Sequence, residues 1–450
     1  MVVEWIKRWL PQKTLEQSKA LVSVSRDNHR ISRKDISPNA LKVLYRLHNA
    51  GYESFLVGGC VRDLQLGLHP KDFDVATDAT PEQVRKLFSN SRLIGRRFKI
   101  VHVTFGREII EVTTFRGRAE ETEADPSLQR ESEQGLLLRD NVYGSLEEDA
   151  ERRDFTINAL YYTPSDFSIQ AFGSALEDLE NRTLRIIGDP QKRYREDPVR
   201  MLRAVRFAAK LDLTIEPNTA NCIAEMAPLL SHVAAARLFD EILKLLMAGH
   251  GVATWRLMQE YQLIEPLFPD TFLALNLNSD RHYHTFIEQA LVNTDLRINR
   301  SKPVTPAFLY AALLWPAVRE EAEHQISMGT PEYPAWQQAM TRIVSQQVRS
   351  IAIPKRFSIP MKEIWELQLR LPKRSAKKAE LLVTHPRFRA AYDFLVLREQ
   401  AGEDLDGLGQ WWTDYQDQNP EVRQQMAKVA NSSSRRPRRR RRPADDNTTS

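Results

Sequence analysis

The sequence has 450 residues, 42% of them hydrophobic, with eight Trp and eighteen Phe, enough for two or three domains with sizeable cores. Its net charge is only +5, but an arginine run (RRPRRRRR) lies in the last twenty residues, a pattern that suits a polyanion such as nucleic acid or an anionic membrane, or a solvated tail. Two cysteines, Cys60 and Cys222, exclude a disulfide scaffold and fit a reducing, cytoplasmic setting, and the lack of an apolar run near ~20 residues excludes a spanning helix.

In chain order, residues 1–34 read as a partly disordered lead. Within it MVVEWIKRWLPQK sets Trp5, Ile6, Trp9 and Leu10 loosely on one helical face, for docking on the protein's own body or for weak contact with a membrane surface. A helix follows, with Ser37 as N-cap, Pro38 in its first turn and Gly51 past its end. YESFLV reads as a strand entering the Gly58-Gly59 turn. Thr80 with Gln83 forms a capping box that opens a helix to about Asn90. KIVHVTFG and EIIEVTTFR alternate as a hairpin does. Residues 117–141 are polar and read as a mobile loop. Ser145 with Glu148 opens another helix, and DFTINALYY reads as a strand. From about Asp189 the pattern is helical almost throughout. The expected division is a catalytic head over 35–188, a helical neck over 189–250, a helical body over 251–415 and a disordered basic tail over 416–450.

The chemistry concentrates between Phe55 and Asp74. In KDFDV a strand would send Asp72 and Asp74 to one face and Phe73 and Val75 to the core. Two neighbouring carboxylates repel unless a cation bridges them, and hard oxygen ligands on one face suit Mg²⁺ with substrate phosphates; a solvated acidic strand end is the plain alternative. The Gly58-Gly59 turn lets backbone N–H groups approach a phosphate. Arg62 either contacts a triphosphate or pairs with Asp63 or Asp74. Glu111, between Ile110 and Val112, is a third carboxylate for a two-metal site or a solvent-facing group on an edge strand. Asp154 either orients a ribose or an arginine of the site, or pairs with Arg152 or Arg153. Asp197, before Pro198, is a natural N-cap, yet Asp197, Arg200 and Arg203 are spaced by three and share a face. An acceptor beside a donor there would match adenine and cytosine and reject uracil and guanine.

Together LVGGCVRD, KDFDV, IIEVTTFR, RRDFTINALYY and REDPVRMLRAVRFA resemble, in order over roughly residues 50–215, the class II nucleotidyltransferases: bacterial poly(A) polymerases and tRNA CCA-adding enzymes. The resemblance implies an α+β chain, a small mixed-sheet head followed by an all-helical neck, body and tail. It implies Asp72 and Asp74 as ligands of two Mg²⁺ ions with Glu111 at the third carboxylate position. Gly58, Gly59 and Arg62 match the triphosphate turn, Arg153 and Asp154 the sugar-recognising motif, and Asp197 and Arg200 the base-reading pair. The implied reaction is attack of an RNA 3′-hydroxyl on the α-phosphate of ATP with release of pyrophosphate.

Within that family, HPRFRAAYDFLVLR and the Ile353–Arg356 run resemble bacterial poly(A) polymerases, and no His is followed by Asp as in an HD phosphohydrolase module. RNA 3′ ends and ATP are therefore the expected partners, with RNA-decay proteins as further candidates. CCA or A addition to tRNA is the alternative, and a non-catalytic RNA-binding protein a second one. Lys355, Arg356, Lys373, Arg374, Lys377 and Lys378 are candidates for an RNA path, with Arg438, Arg439 and Arg440 in the tail; solvated helix faces are the alternative for each. Trp411 and Trp412 either stack bases or pack in a helix core.

Overall fold

The computed structural model describes residues 20–95, 99–117, 129–131, 137–140, 142–277 and 282–433. The amphipathic segment around Trp5, most of the 117–141 loop and Arg438, Arg439 and Arg440 lie outside the described residues. The chain divides into two compact units, Met1–Val233 with Glu260–Leu263, and Ala234–Gln259 with Ile264–Ser450.

The first unit is built on an eight-stranded mixed sheet. In chain order its strands are β1 (Leu21–Val24), β2 (Ser54–Val57), β3 (Asp74–Thr77), β4 (Ser91–Ile94), β5 (Ile100–Phe105) and β6 (Glu108–Thr114). A separate two-stranded ribbon, β7 (Gln129–Glu131) and β8 (Leu137–Asp140), comes next, then β9 (Leu160–Tyr162) and β10 (Ile169–Phe172) of the main sheet. The sheet order is β1-β10-β9-β2-β3-β6-β5-β4. Only β3 and β6 run parallel, and their register sets Asp74 opposite Glu111. Phe55, Val57, Ala76, Phe115, Tyr161 and Phe172 cluster in one core of this unit.

The helices of this unit follow their local signals. Ser37 Oγ caps Pro38–Asn49 (α1) by accepting from the Asn39 and Ala40 N–H groups. Gly58 opens Gly59–Gln65 (α2), and reciprocal capping boxes open Pro81–Leu87 (α3) at Thr80 and Leu146–Glu151 (α4) at Ser145. Ala175–Glu180 (α5), Pro190–Glu196 (α6) and Val199–Leu211 (α7) complete the part that positions the site. Among the described residues the second unit contains helices only, from Ala235–Leu246 to Pro420–Ser433.

Three local expectations change. The stretch read as a lead contributes β1, which pairs antiparallel with β10. DFTINALYY is not one strand: Thr156–Asn158 is a 3-10 turn ahead of β9. There Thr156 Oγ1 donates to Asp178, and Asn158 bonds Arg62 and Asp154, so polar contacts hold the backbone out of the ladder. The expected disordered tail is helical over Pro420–Ser433. Asn419 Oδ1 caps that helix by accepting from the Val422 N–H at 3.0 Å, and Ala427 is fully buried in it.

Candidate active site

Asp72 precedes β3 and Asp74 begins it, and burial alternates through Asp72 (exposed), Phe73 (buried), Asp74 (half-buried) and Val75 (buried). Both carboxylates thus lie on the face away from the core. Glu111 is not on an edge: β6 lies between β3 and β5. Burial pushes the Asp74 carboxyl up to about 6, with Glu111 adding to the rise, Arg153 opposing it and Asp72 adding the rest. Partial closure to water disfavours the charged form most, and the like charge of Glu111 on the adjacent strand adds to it. Glu111 Oε1 meets His102 Nε2, on β5, at 3.2 Å. Among the described residues no three His, Cys, Asp or Glu side chains already converge as a metal cage.

Gly58 adopts φ 72° and ψ −127°, a conformation left to glycine because any Cβ clashes. A Cβ there would also stand 3.3 Å from Arg153 Nη1, so the turn and this arginine are closely fitted. Arg153 donates from Nε to the Tyr161 hydroxyl at 2.7 Å and from Nη2 to Asp149 Oδ2 at 3.0 Å. Burial works against its charge, but Tyr161 and Asp149 more than offset that and raise its pKa.

Arg62 does not face outward as a free triphosphate contact. It is 3% exposed and donates to Asp63 Oδ1 at 2.6 Å and to Asn158 Oδ1 at 2.6 Å. Asn158 Nδ2 in turn donates to Asp154 Oδ1 at 3.0 Å, and Arg203 Nε donates to Asp154 Oδ2 at 2.6 Å. Asp154 therefore pairs with Arg203 rather than with its neighbours Arg152 and Arg153. Burial alone would raise the Asp154 carboxyl, but Arg203, Asn158 and the Phe155 N–H outweigh it and hold it well below the usual range. One chain of contacts, Asp63-Arg62-Asn158-Asp154-Arg203, joins α2 to α7.

Asp197 lies between α6 and α7 and accepts from the Val199 N–H at 3.3 Å, the capping role open to it. Arg200 turns its Nη1 to Glu196 Oε2 at 2.9 Å and to the Arg193 carbonyl at 2.8 Å. Arg193 emerges as the hub. Its Nη2 donates to the carbonyls of Arg152 at 2.7 Å and Arg153 at 2.6 Å, and its Nη1 to Glu196 at 2.7 Å. Burial, then Arg200, pushes it down to about 10, with Glu196 and Asp154 opposing, so it stays charged at neutral pH. Sequence reasoning missed Arg193, Glu196, Asn158, Asp149, Tyr161 and His102. The spacing of Arg193, Glu196 and Arg200 at i, i+3 and i+7 is the one signal that could have pointed to the first two.

In the second unit Lys355 and Arg356 are exposed at the start of the helix Lys355–Arg370, while Lys373 and Arg374 follow its end. A helix of that length separates them by about 24 Å, so they form two patches rather than one.

A mixed sheet with same-face aspartates beside a double-glycine turn, followed by helices, is the architecture of a nucleotidyltransferase head. Family profiles match residues 54–185 (poly A polymerase head domain), 212–275 (probable RNA and SrmB-binding site of polymerase A) and 328–445 (polymerase A arginine-rich C-terminus). Poly(A) polymerase I of Salmonella typhi is 52% identical over 406 residues, 90% of this chain and 87% of that one. A CCA-adding enzyme of Lactobacillus helveticus is 37% identical over 236 residues, 52% of this chain and 56% of its own. The solved CCA-adding enzyme of Bacillus stearothermophilus, in complex with CTP, shares the fold, with a TM-score of 0.55 at 24% identity over 88% of this chain and 83% of its own. The chain belongs to the bacterial poly(A) polymerase family of nucleotidyltransferases.

Proposed function

We propose that this protein adds AMP from ATP to RNA 3′ ends without a template. The observation that carries the reading is the parallel β3–β6 register, which sets Asp74 opposite Glu111 beside Asp72. Repulsion among these carboxylates contributes to the rise of Asp74 to about 6, and a bound cation would relieve it. The donor set fits Mg²⁺, a hard cation taking few carboxylates plus water and substrate phosphates. Asp72, Asp74 and Glu111 are the residues that would hold two such ions. When bound, they supply Lewis-acid polarisation of the α-phosphate and acidify the RNA 3′-hydroxyl.

The chain's own residues do the rest. The Gly58 N–H is held by the Leu160 carbonyl at 3.1 Å, so the turn meets the triphosphate through Gly59, the first residue of α2. Arg153 stands against Gly58, with Tyr161 and Asp149 fixing its guanidinium. Arg62, held by Asp63 and Asn158, acts by orienting the turn and the Asn158–Asp154 segment. Asp154, ionised and locked by Arg203, orients the ribose side of the site. Asp197 and Arg200 read the base edge: an acceptor beside a donor matches adenine N6–H and N1, after Arg200 exchanges Glu196 for the base. Lys355, Arg356, Lys373, Arg374 and the arginines around Arg438–Arg440 contact RNA phosphates. RNA-decay proteins in the cytoplasm are the expected company.

Incubation with Mg²⁺, an unstructured RNA and each nucleoside triphosphate singly tests the proposal. Long ladders with ATP alone are expected. Single CCA completion confined to tRNA, the reading favoured by the likeness to the Lactobacillus helveticus enzyme, would overturn it. Asp197→Ala should lose preference for ATP over UTP and GTP, and unaltered preference would remove the base-reading assignment.

A further inference from the structure

The second unit carries an aromatic shelf that the reaction does not use. Trp411 lies on the helix Leu408–Asp417, only partly buried against a core of Leu367, Leu371, Leu408, Trp412 and Tyr415. Its ring stacks on Tyr415 at a centroid distance of 4.7 Å and an interplanar angle of 21°. Tyr415 is itself fixed: it is 1% exposed, its hydroxyl donates to Glu380 at 3.3 Å, and Arg423 lies over its ring at 5.3 Å. Trp412, by contrast, is fully buried and donates from Nε1 to the Leu371 carbonyl, a core role. Trp411, unlike the fully buried Trp412, lines a cavity.

That cavity has a volume of about 530 Å³, with Arg374, Trp411, Val422, Gln425 and Met426 among its lining residues. The Arg374 guanidinium lies 5.4 Å from the Trp411 ring centroid. Lys373, Lys377 and Lys378 are exposed beside Arg374 in sequence. The acidic Glu380 is engaged by Arg423 at 3.6 Å and by the Tyr415 hydroxyl. The helix that forms the apolar wall, Pro420–Ser433, leads in sequence to the arginine run starting at Arg435.

We propose that this cavity is a nucleobase-binding site for single-stranded RNA. Tyr415 takes one face of the Trp411 ring and the Arg374 guanidinium lies over the ring, so a base stacks on Trp411 by displacing that guanidinium, and stacking tolerates any base. Val422 and Met426 supply an apolar floor, and the Gln425 amide offers both a donor and an acceptor to a base edge. Net positive charge around an apolar slot selects a polyanion with flat apolar faces over an uncharged peptide. Arg374, moved off the ring by the base, meets the phosphate of the same nucleotide. The site rests on the reading that the protein acts on RNA, but it is separate from the reacting carboxylates.

The test is fluorescence-anisotropy titration of a labelled oligo(A) 15-mer with the full chain and its W411A, W411F and R374A variants, each checked by circular dichroism. Trp411→Ala is expected to weaken binding at least about fivefold, Trp411→Phe to keep most of it, and Arg374→Ala to weaken it and flatten the salt slope by about one ion. On an abasic oligomer of equal length Trp411→Ala should have no effect. Unchanged oligo(A) binding by Trp411→Ala, as a protein-docking groove would give, overturns the site, as does an equal loss on the abasic oligomer or a Phe variant as weak as the Ala variant. Failure of the wild-type chain to bind oligo(A) at all would instead overturn the RNA reading itself.

Discussion

Arg193→Ala is the most searching perturbation of the site. The arginine is 8% exposed in its side chain and serves three acceptors: the carbonyls of Arg152 and Arg153 at 2.7 and 2.6 Å, and Glu196 Oε2 at 2.7 Å. Truncation leaves these groups short of a donor where little water reaches, and each such group costs about 1–3 kcal/mol. Two effects reduce the sum. Burial and Arg200 hold the guanidinium at a cost, seen in its pKa of about 10, and Nε finds no partner. Glu196 also keeps Arg200 at 2.9 Å. The expected loss is therefore about 2–4 kcal/mol, close to that for breaking a buried charged pair. Urea denaturation followed by circular dichroism reads it. Since Glu196 would be left to Arg200 alone, single-nucleotide incorporation should also lose at least about fivefold of its ATP-over-UTP preference. Lysine cannot reach all three acceptors with one ammonium, so Arg193→Lys should fall between. Stability within about 0.5 kcal/mol of wild type together with unaltered selectivity would refute the hub role.

Other perturbations separate the remaining parts of the site. Gly58→Ala forces a side chain into φ 72° and against Arg153; it should cost about 1–3 kcal/mol and raise KM for ATP, measured by steady-state kinetics. Asp154 binds fewer protons folded than unfolded, because Arg203 and Asn158 hold its carboxyl low. Its stabilising contribution is thus present above about pH 4 and lost as pH falls from there. Arg203→Met removes that support and leaves the burial, so acid unfolding, followed by fluorescence, should move to higher pH. Glu111→Gln should weaken Mn²⁺ binding, read by electron paramagnetic resonance of the free ion, and lower AMP incorporation roughly 10²-fold; unchanged Mn²⁺ binding would remove Glu111 from the ligand set.

Periodicity and capping chemistry settled much of the chain before any contact was known. The period of two in KDFDV put Asp72 and Asp74 on one face, and the strand-then-helix pattern around Gly58-Gly59 placed the turn, because both depend only on residues a few positions apart. Ser37, Thr80 and Ser145 likewise cap the helices they announce. The same local rules failed where polar side chains took distant partners, as at Thr156–Asn158, and where a basic composition hid a buried face, as at Ala427.

The pairings that make the site were decided elsewhere. Arg203 meets Asp154 across 49 positions and Arg62 meets Asn158 across 96, while from sequence Asp154 had two nearer arginines as equal candidates. Glu111 was open to an edge strand, and only the sheet order shows that β6 lies between β3 and β5, in parallel register with Asp74. Local sequence fixes which face a side chain takes because that follows from backbone geometry. It leaves open which opposite charge the side chain meets, because that depends on strand order and helix placement, which arise only when the whole unit packs.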